Sequence, residues 1–268
     1  MTRSETLSSS LSAGSSPTPN GAGTLEGMVV VVTGAASGIG RATALALAHE
    51  GAHVALVARR QQRLEELARQ IAALGGRAEV IALDISLPQE ARQAVERSVL
   101  ALGHLDILVN NAGIMLLGPV AGADPSDFSR MLDLNVLAVM NLTHAALDIM
   151  KPQKGGHIVN ISSVSGRGAG PTSAGYSATK WALGGFSEGL RQEVRLDNIR
   201  VTVIEPGVVA TELTDHITHQ DTKTNYEGRI ATMTPLEAED IAAAVIYALT
   251  QPLRVNVNEI LIRPLEQG

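Results

Sequence analysis

Residues 28–40 read MVVVVTGAASGIG, and this stretch decides how the rest of the chain is interpreted. Its first half is a continuous branched-aliphatic run, typical of a strand buried on both faces of a parallel sheet. Its second half is a glycine-rich turn that opens a helical pattern. Such a turn lets the backbone approach a pyrophosphate at a helix N-terminus. Glycine clusters also mark ordinary turns, so the flanking strand and helix are what favour a dinucleotide site, comprising Gly34, Ser37, Gly38, Ile39 and Gly40.

Apolar runs and amphipathic segments alternate along the chain as far as residue 262. The predicted strands are 28–34, 53–58, 78–83, 105–110, 157–162, 200–205 and 258–262. The predicted helices are 39–50, 61–74, one around 91–102, 125–150, 174–196 and 236–249. Short glycine-rich turns separate them. This alternation predicts an α/β fold, with a single Rossmann-type doubly wound parallel sheet of about seven strands and helices on both faces.

The composition excludes several classes of function. The chain has 268 residues, a net charge of −6, 45% hydrophobic residues and only 2% aromatic residues. Few aromatic side chains and an acidic balance argue against nucleic-acid partners, which need stacking platforms and positive charge. The absence of cysteine excludes disulfides, thiolate metal sites and a cysteine nucleophile.

The first 26 residues differ in composition from the rest. They are rich in Ser, Gly, Pro and Thr and lack the apolar core of a secretory signal, so we expect a disordered tail, with a transit peptide as the alternative. Residues 27–268 then form the dinucleotide-binding catalytic domain. No apolar run reaches the ~18 residues that span a bilayer, so we expect a cytoplasmic protein without a membrane partner.

A basic pair lies where a Rossmann unit commonly carries a carboxylate for the ribose 2′-hydroxyl. Arg59 and Arg60 follow the second predicted strand, and no acidic residue stands there. A guanidinium binds a phosphate bidentately, whereas a carboxylate would repel it. The pair therefore favours NADP(H) over NAD(H). The alternative is that both arginines only solvate the start of a surface helix.

Tyr176 and Lys180 stand four residues apart in a predicted helix, so their side chains share one face. A free phenol titrates near pH ~10 and is a poor base at neutrality. Positive charge from Lys180 and from an oxidised nicotinamide favours the phenolate, so we expect the pKa of Tyr176 to be lowered. Tyr176 would then act as a general acid and base on a carbonyl or hydroxyl oxygen.

Four elements together carry a family resemblance: TGAASGIG (33–40), NNAG (110–113), the set Ser163, Tyr176 and Lys180, and Pro206-Gly207. In this order and spacing they resemble the classical short-chain dehydrogenase/reductase family, over residues 28 to about 262. The resemblance implies an NADP(H)-dependent oxidoreductase, acting on CH–OH donors, that interconverts a carbonyl (aldehyde or ketone) and an alcohol. It also implies a homotetramer packed through helices 125–150 and 174–196, with Met140, Leu147, Ala182 and Leu183 on the outer faces.

The same resemblance assigns individual roles. Ser163, rather than its neighbour Ser162, would hydrogen-bond the substrate oxygen, Lys180 would hold the nicotinamide ribose, and Asn135 would support a proton relay to the lysine. Asp84 would accept from the adenine amino group, although an aspartate after a strand is also an ordinary turn former. The implied cofactor contacts further include Ile85, Asn111, Ala112, Gly113, Tyr176, Pro206, Gly207, Val209 and Thr211, and a substrate lid is expected at about 208–230, the lid segment.

The substrate is a small molecule that the sequence does not identify. Segments 110–120 and 216–219 and the IRP near the C-terminus resemble clavulanate dehydrogenase-like NADP(H)-dependent reductases, and also reductases of small 3-hydroxy acids and serine. Two other functions stay open: a non-catalytic NADP(H) sensor, and an epimerase or dehydratase on the same fold. A cluster of acidic and histidine residues in the lid segment lacks further ligands of suitable spacing, so no metal is expected; it comprises Asp215, His216, His219 and Asp221.

Overall fold

The structure is a computed structural model, and it describes residues 24–267. The predicted disordered tail therefore lies outside the described residues as far as residue 23. Its last three residues belong to the fold: the Leu25 side chain is 2% exposed, and its amide donates to the Glu50 carbonyl at 3.0 Å. Leu25 joins the core beside Leu47 and Ala48. The domain thus begins no later than Thr24, because Leu25, an isolated leucine in a polar stretch of sequence, packs in the core.

Within residues 24–267, seven strands form one fully parallel sheet. They are β1 (Val29–Thr33), β2 (His53–Ala58), β3 (Arg77–Ala82), β4 (Ile107–Asn110), β5 (Gly156–Ile161), β6 (Ile199–Pro206) and β7 (Glu259–Ile262). Their order in the sheet is β3-β2-β1-β4-β5-β6-β7. The predicted fold class is confirmed.

Helices cover both faces of the sheet. They are α1 (Gly38–His49), α2 (Gln61–Ala73), α3 (Pro88–Leu102), α4 (Pro125–Leu132), α5 (Ala138–Gln153), α6 (Ala174–Val194), α7 (Gln220–Ile230) and α8 (Ala238–Leu249). Strand β1 is apolar throughout because both of its faces are buried. Val30 and Val32 pack in the core with α1, α2 and α8, whereas Val29 and Val31 pack in the core with α3, α5 and α6. No helix of the described range combines the length and apolarity needed to cross a bilayer.

The predicted helix 125–150 is not one regular helix. A π-helical turn, Asp133–Leu137, separates α4 from α5. This wider turn contains Asn135, whose buried side chain accepts from the Ile114 amide and donates to the Ile114 carbonyl, both at 2.9 Å. A π turn changes the direction of a side chain without ending the helix, and such turns are frequent at functional sites. Apolar periodicity does not reveal it.

The lid segment is more regular than its sequence suggests. Residues after Thr211 form a 3-10 turn, Glu212–His216, followed by helix α7. Only Thr222 is buried in α7, so the helix has no apolar stripe from which periodicity could predict it. Local polar contacts fix its start, since His219 Nδ1 accepts from the Thr222 amide at 3.2 Å and the Thr218 hydroxyl donates to Asp127 at 2.9 Å.

Candidate active site

A cavity of about 810 Å³ lies along the carboxyl ends of β2, β1, β4, β5 and β6. This is where an open parallel sheet binds its ligands, because the connections from β1 and β4 leave in opposite directions there. Nearly all of the predicted site residues line the cavity: Gly34, Ser37, Gly38, Ile39, Arg59, Arg60, Asp84, Ile85, Asn111, Ala112, Gly113, Ser163, Tyr176, Lys180, Pro206, Gly207, Val209 and Thr211. Gly40 and Asn135 stand behind its wall.

The glycine turn has no room for side chains. Gly34 and Gly38 have φ values of +66° and +50°, in the left-handed region that glycine tolerates best. A Cβ atom at Gly40 would lie 2.4 Å from both the Gly34 carbonyl oxygen and the side-chain nitrogen Nδ2 of Asn111. The Asn111 side chain in turn donates to the Thr33 carbonyl at 2.9 Å. The turn is therefore locked against the end of β4, with the N-terminus of α1 at the cavity.

The arginine pair lies beside this turn. Arg60 donates to the Ser37 hydroxyl at 2.7 Å, while Arg59 lies 3.8 Å from the carboxylate of Asp84. Asp84 also accepts from the amide and hydroxyl of Ser86, at 3.1 and 2.7 Å, as a turn-forming aspartate does. Arg60 is thus tied to the glycine turn through Ser37, and the choice between phosphate binding and solvation stays a prediction.

A carboxylate that sequence reasoning missed lies among the arginines. Glu212 accepts from Arg60 at 2.8 Å and from Arg63 at 2.5 Å. These hydrogen bonds, that of Arg63 first, lower the pKa of Glu212 to about 2. The contact joins residues about 150 positions apart, and no local pattern predicts such a pairing.

Tyr176, Lys180 and Ser163 meet at the β5 side of the cavity, and all three are buried. The Lys180 ammonium donates to the Ile161 carbonyl at 3.0 Å and lies 5.7 Å from the centre of the Tyr176 ring. Ser162 points elsewhere, toward the Lys180 carbonyl at 3.5 Å. The Ser163 side chain is near enough to Tyr176 to affect the pKa of its phenol, which agrees with the choice of Ser163 over Ser162.

The pKa of Tyr176 is raised rather than lowered in the protein by itself. The main cause is burial in an apolar cluster that includes Ile114, Met115 and Ile217. The Ser163 side chain opposes this effect without reversing it. Burial also lowers the pKa of Lys180 to about 8. In the protein alone, desolvation of the phenolate therefore outweighs the expected lowering of the pKa by Lys180; the lowering with an oxidised nicotinamide also bound stays a prediction.

Asn135 acts on backbone and neighbouring helix rather than directly on Lys180. Besides its two bonds to Ile114, its amide donates to the Thr179 hydroxyl at 3.1 Å. It thereby connects the segment after β4 to α6, one residue before Lys180. Its predicted part in a proton relay stays a prediction. Asn110, by contrast, donates to Asn160 at 2.9 Å inside the sheet and so joins β4 to β5.

Two further groups that the sequence did not reveal hold the end of β6. Gln267 lines the cavity and accepts from the Val208 amide at 2.9 Å. Arg167 donates through Nε to both carboxylate oxygens of the buried Glu205, at 2.8 and 2.9 Å. These contacts fix the segment 205–209 relative to the loop that follows Ser163.

Within residues 24–267, no group of three or more side chains is placed to hold a metal ion. In the lid segment, His219 caps α7 and His216 approaches the Leu213 carbonyl at 3.3 Å. These contacts give both histidines a role in the local structure.

Comparison with known proteins agrees with this geometry. A family model described as short chain dehydrogenase matches residues 28–222. This chain belongs to the short-chain dehydrogenase family. An uncharacterized oxidoreductase of Staphylococcus saprophyticus is 38% identical to it over 242 residues, which cover 90% of this chain and 97% of the relative. The family resemblance predicted from the four motifs is therefore confirmed.

Two similar solved structures of short-chain dehydrogenases contain a cofactor. A metagenomic short-chain oxidoreductase in complex with NADP is 33% identical, with a TM-score of 0.77, and the match covers 91% of this chain and all of that one. The closed form of a serine dehydrogenase complexed with NADP+ is also 33% identical, with a TM-score of 0.81 and coverage of 90% and 96%.

Gly40→Ala should destabilise this short-chain dehydrogenase by about 1–3 kcal/mol, because the added methyl group meets the Gly34 carbonyl and the Asn111 side chain. Gly228→Ala is the matched control: its Cβ atom meets nothing within 4 Å on helix α7, so it should be neutral or stabilising by up to ~1 kcal/mol. Chemical denaturation followed by circular dichroism measures both. Equal stability of the two variants would contradict the tight turn.

Proposed function

We propose that this protein is an NADP(H)-dependent oxidoreductase that interconverts a carbonyl group and an alcohol. One observation carries the proposal: Ser163, Tyr176 and Lys180 line the same cavity as the glycine turn and Arg60. The first set provides acid–base chemistry, and the second provides donors for phosphate groups. The NADP bound to two similar short-chain dehydrogenases supports the choice of cofactor.

The residues present fit a dinucleotide. The left-handed glycines bring the backbone and the N-terminus of α1 to the cavity, where a pyrophosphate would be held. Arg59 and Arg60 would hold a 2′-phosphate, and Asp84 with Ile85 would contact the adenine. Lys180 would hold the nicotinamide ribose, and Val209 with Thr211 would contact the carboxamide. The bound cofactor would supply or accept the hydride.

Tyr176 would carry the proton that accompanies this hydride. Because burial raises the pKa of its phenol, Tyr176 Oη holds a proton at neutral pH and is ready to donate it to a carbonyl oxygen during reduction. Ser163 would orient that oxygen and stabilise the charge that develops on it. Lys180, still largely protonated below its pKa of about 8, would favour the phenolate that remains.

The wall beside Tyr176 is mostly apolar. Ile114, Met115 and Leu117 line it together with Leu213 and Tyr226 from the lid segment. Such a wall suits a substrate with an apolar body next to its carbonyl group. Aldehydes with apolar substituents are the class to test first, with both NADPH and NADH, and β-keto acids test whether the cavity also accepts a carboxylate.

Tyr176→Phe should lower kcat for carbonyl reduction by about 10²–10⁴-fold, because the proton donor is lost, while the Kd for NADPH changes little. Ser163→Ala should lower kcat by about 10–10³-fold. Ser162→Ala is the neighbouring control, and its kcat should stay close to that of the parent. NADPH absorbance measures turnover across a panel of aldehydes, ketones and keto acids, and nicotinamide fluorescence measures binding. Tight NADPH binding without turnover by the parent on any carbonyl would instead favour a sensor.

The pH dependence should report on Lys180. Its pKa of about 8 places its loss of charge within the working range, so kcat/KM for NADPH should be level at neutral pH and decline above about pH 8. Lys180→Arg, whose guanidinium stays protonated, should shift the decline to higher pH. A profile that stays level to pH 10 in the parent would contradict the assignment to Lys180.

We further propose that the protein forms a homotetramer through the outer faces of α4 to α6. These faces expose Leu132, Leu137 and Trp181, whose exposed fractions are 46–56%. Leu183, which was expected on the outer face, is only 2% exposed and packs in the interior of the protein. Mass photometry should give a particle of four 28.0 kDa chains, and Trp181→Glu should lower its mass. A monomeric parent would refute the assembly.

The cytoplasmic location, and the lack of nucleic-acid and membrane partners, stay predictions.

A further inference from the structure

Glu212 belongs to the lid segment and forms ion pairs with two arginines outside it, Arg60 and Arg63. It is the first residue of the 3-10 turn, and its carboxylate lies between Arg60 and Arg63, at 2.8 and 2.5 Å. The preceding residue, Thr211, packs on the glycine turn, since a Cβ atom at Gly38 would lie 3.0 Å from the Thr211 methyl group. Glu212 therefore ties the beginning of the lid segment to the arginines.

Arg60 already has two partners on its terminal nitrogens. Nη1 donates to Glu212, and Nη2 donates to the Ser37 hydroxyl. A phosphate that binds Arg60 end-on through both terminal nitrogens would compete for these donors, and it would meet the negative charge of Glu212, which is ionised at neutral pH. Like charges at such close range repel, so the carboxylate and the phosphate cannot share Arg60 without cost.

Arg63 provides a second place for the carboxylate. Arg63 donates a hydrogen bond to the other carboxylate oxygen of Glu212, and among the described residues it makes no hydrogen bond to the glycine turn. If Glu212 gave up Arg60, it would still be paired with Arg63. The lid segment could then stay attached while Arg60 became free.

We propose that Glu212 competes with the 2′-phosphate of NADP(H) for Arg60, and that cofactor binding transfers the start of the lid segment to Arg63. This inference rests on the proposed use of NADP(H). Glu212 is then a specificity residue that weakens NADPH binding while leaving NADH, which lacks this phosphate, largely unaffected. It also makes the placement of the lid segment depend on whether the phosphate is present.

The test compares the Kd values of NADPH and NADH, measured by nicotinamide fluorescence, for the parent and for Glu212→Gln. The neutral amide removes the competing charge and keeps the side-chain shape, so NADPH should bind about three- to tenfold tighter while NADH changes less than twofold. Glu227→Gln is the control, because Glu227 is an exposed carboxylate on α7 whose partner is Lys223 at 4.0 Å; it should leave both values unchanged.

The Arg60→Ala background decides whether the effect passes through Arg60. There, Glu212→Gln should no longer tighten NADPH binding. An effect that persists without Arg60, an equal change for both cofactors, or weaker NADPH binding by Glu212→Gln would overturn the proposal; the last would make Glu212 a residue that positions Arg60. Melting curves by circular dichroism confirm that the variants are folded.

Hydrogen exchange gives a readout that does not depend on cofactor affinity. In the absence of cofactor, Glu212→Gln should speed amide exchange across residues 212–216, because it weakens the pairing with both arginines. In the parent, NADPH should slow exchange across these residues less than NADH does, because only the 2′-phosphate displaces Glu212 from Arg60. Unchanged exchange in both comparisons would overturn the transfer to Arg63. A parent that prefers NADH would instead refute the proposed cofactor, whereas a parent that prefers NADPH with an unresponsive Glu212→Gln refutes the Glu212 proposal alone.

Discussion

The contact between the end of β1 and the end of β4 is the constraint on which the site depends. The Thr33 hydroxyl accepts from the amides of Asn111 and Ala112, at 3.0 and 3.1 Å, and the Asn111 side chain returns a bond to the Thr33 carbonyl. These bonds replace the sheet ladder at the point where the two strands separate. They hold the glycine turn and the segment after β4 at a fixed distance, and the cavity lies along both.

Burial determines the electrostatics at the other side of this cavity. Tyr176 and Lys180 are each 5% exposed, and desolvation disfavours the charged form of both. The raised pKa of the Tyr176 phenol and the lowered pKa of the Lys180 ammonium thus have the same cause, which is burial. A polar Tyr-x-x-x-Lys face on a solvated helix would lack this property, so the apolar cluster around Ile114 and Ile217 contributes to the chemistry as much as the titratable groups.

The sequence predicted features that follow from local pattern. Strand β2 occupies 53–58 as expected, and most other element boundaries differ by at most two residues, because buried strands and amphipathic helices have distinct periodicities. The positions of Ser163, Tyr176 and Lys180 on one cavity also agree with their spacing. The roles assigned to them, and to Asp84, Val209 and Thr211, stay predictions.

What local pattern missed depends on contacts between distant residues. The π turn that contains Asn135 is set by bonds to Ile114, helix α7 lacks an apolar stripe, and Glu212 and Gln267 reach partners far along the chain. The raised pKa of Tyr176 likewise arises from several elements that pack together. None of these features has a signal within a window of a few residues.

The single tryptophan of the chain, Trp181, follows Lys180 directly but points to the outside of α6, where it is 56% exposed. The core itself is almost entirely aliphatic, with only 2% aromatic residues in the whole chain. Indole emission will therefore sense the surroundings of this outer face and will be nearly blind to loosening of the interior. Melting followed by this emission therefore reports on the outer face of α6, and a probe of the whole backbone, such as circular dichroism, is needed to follow the aliphatic interior directly.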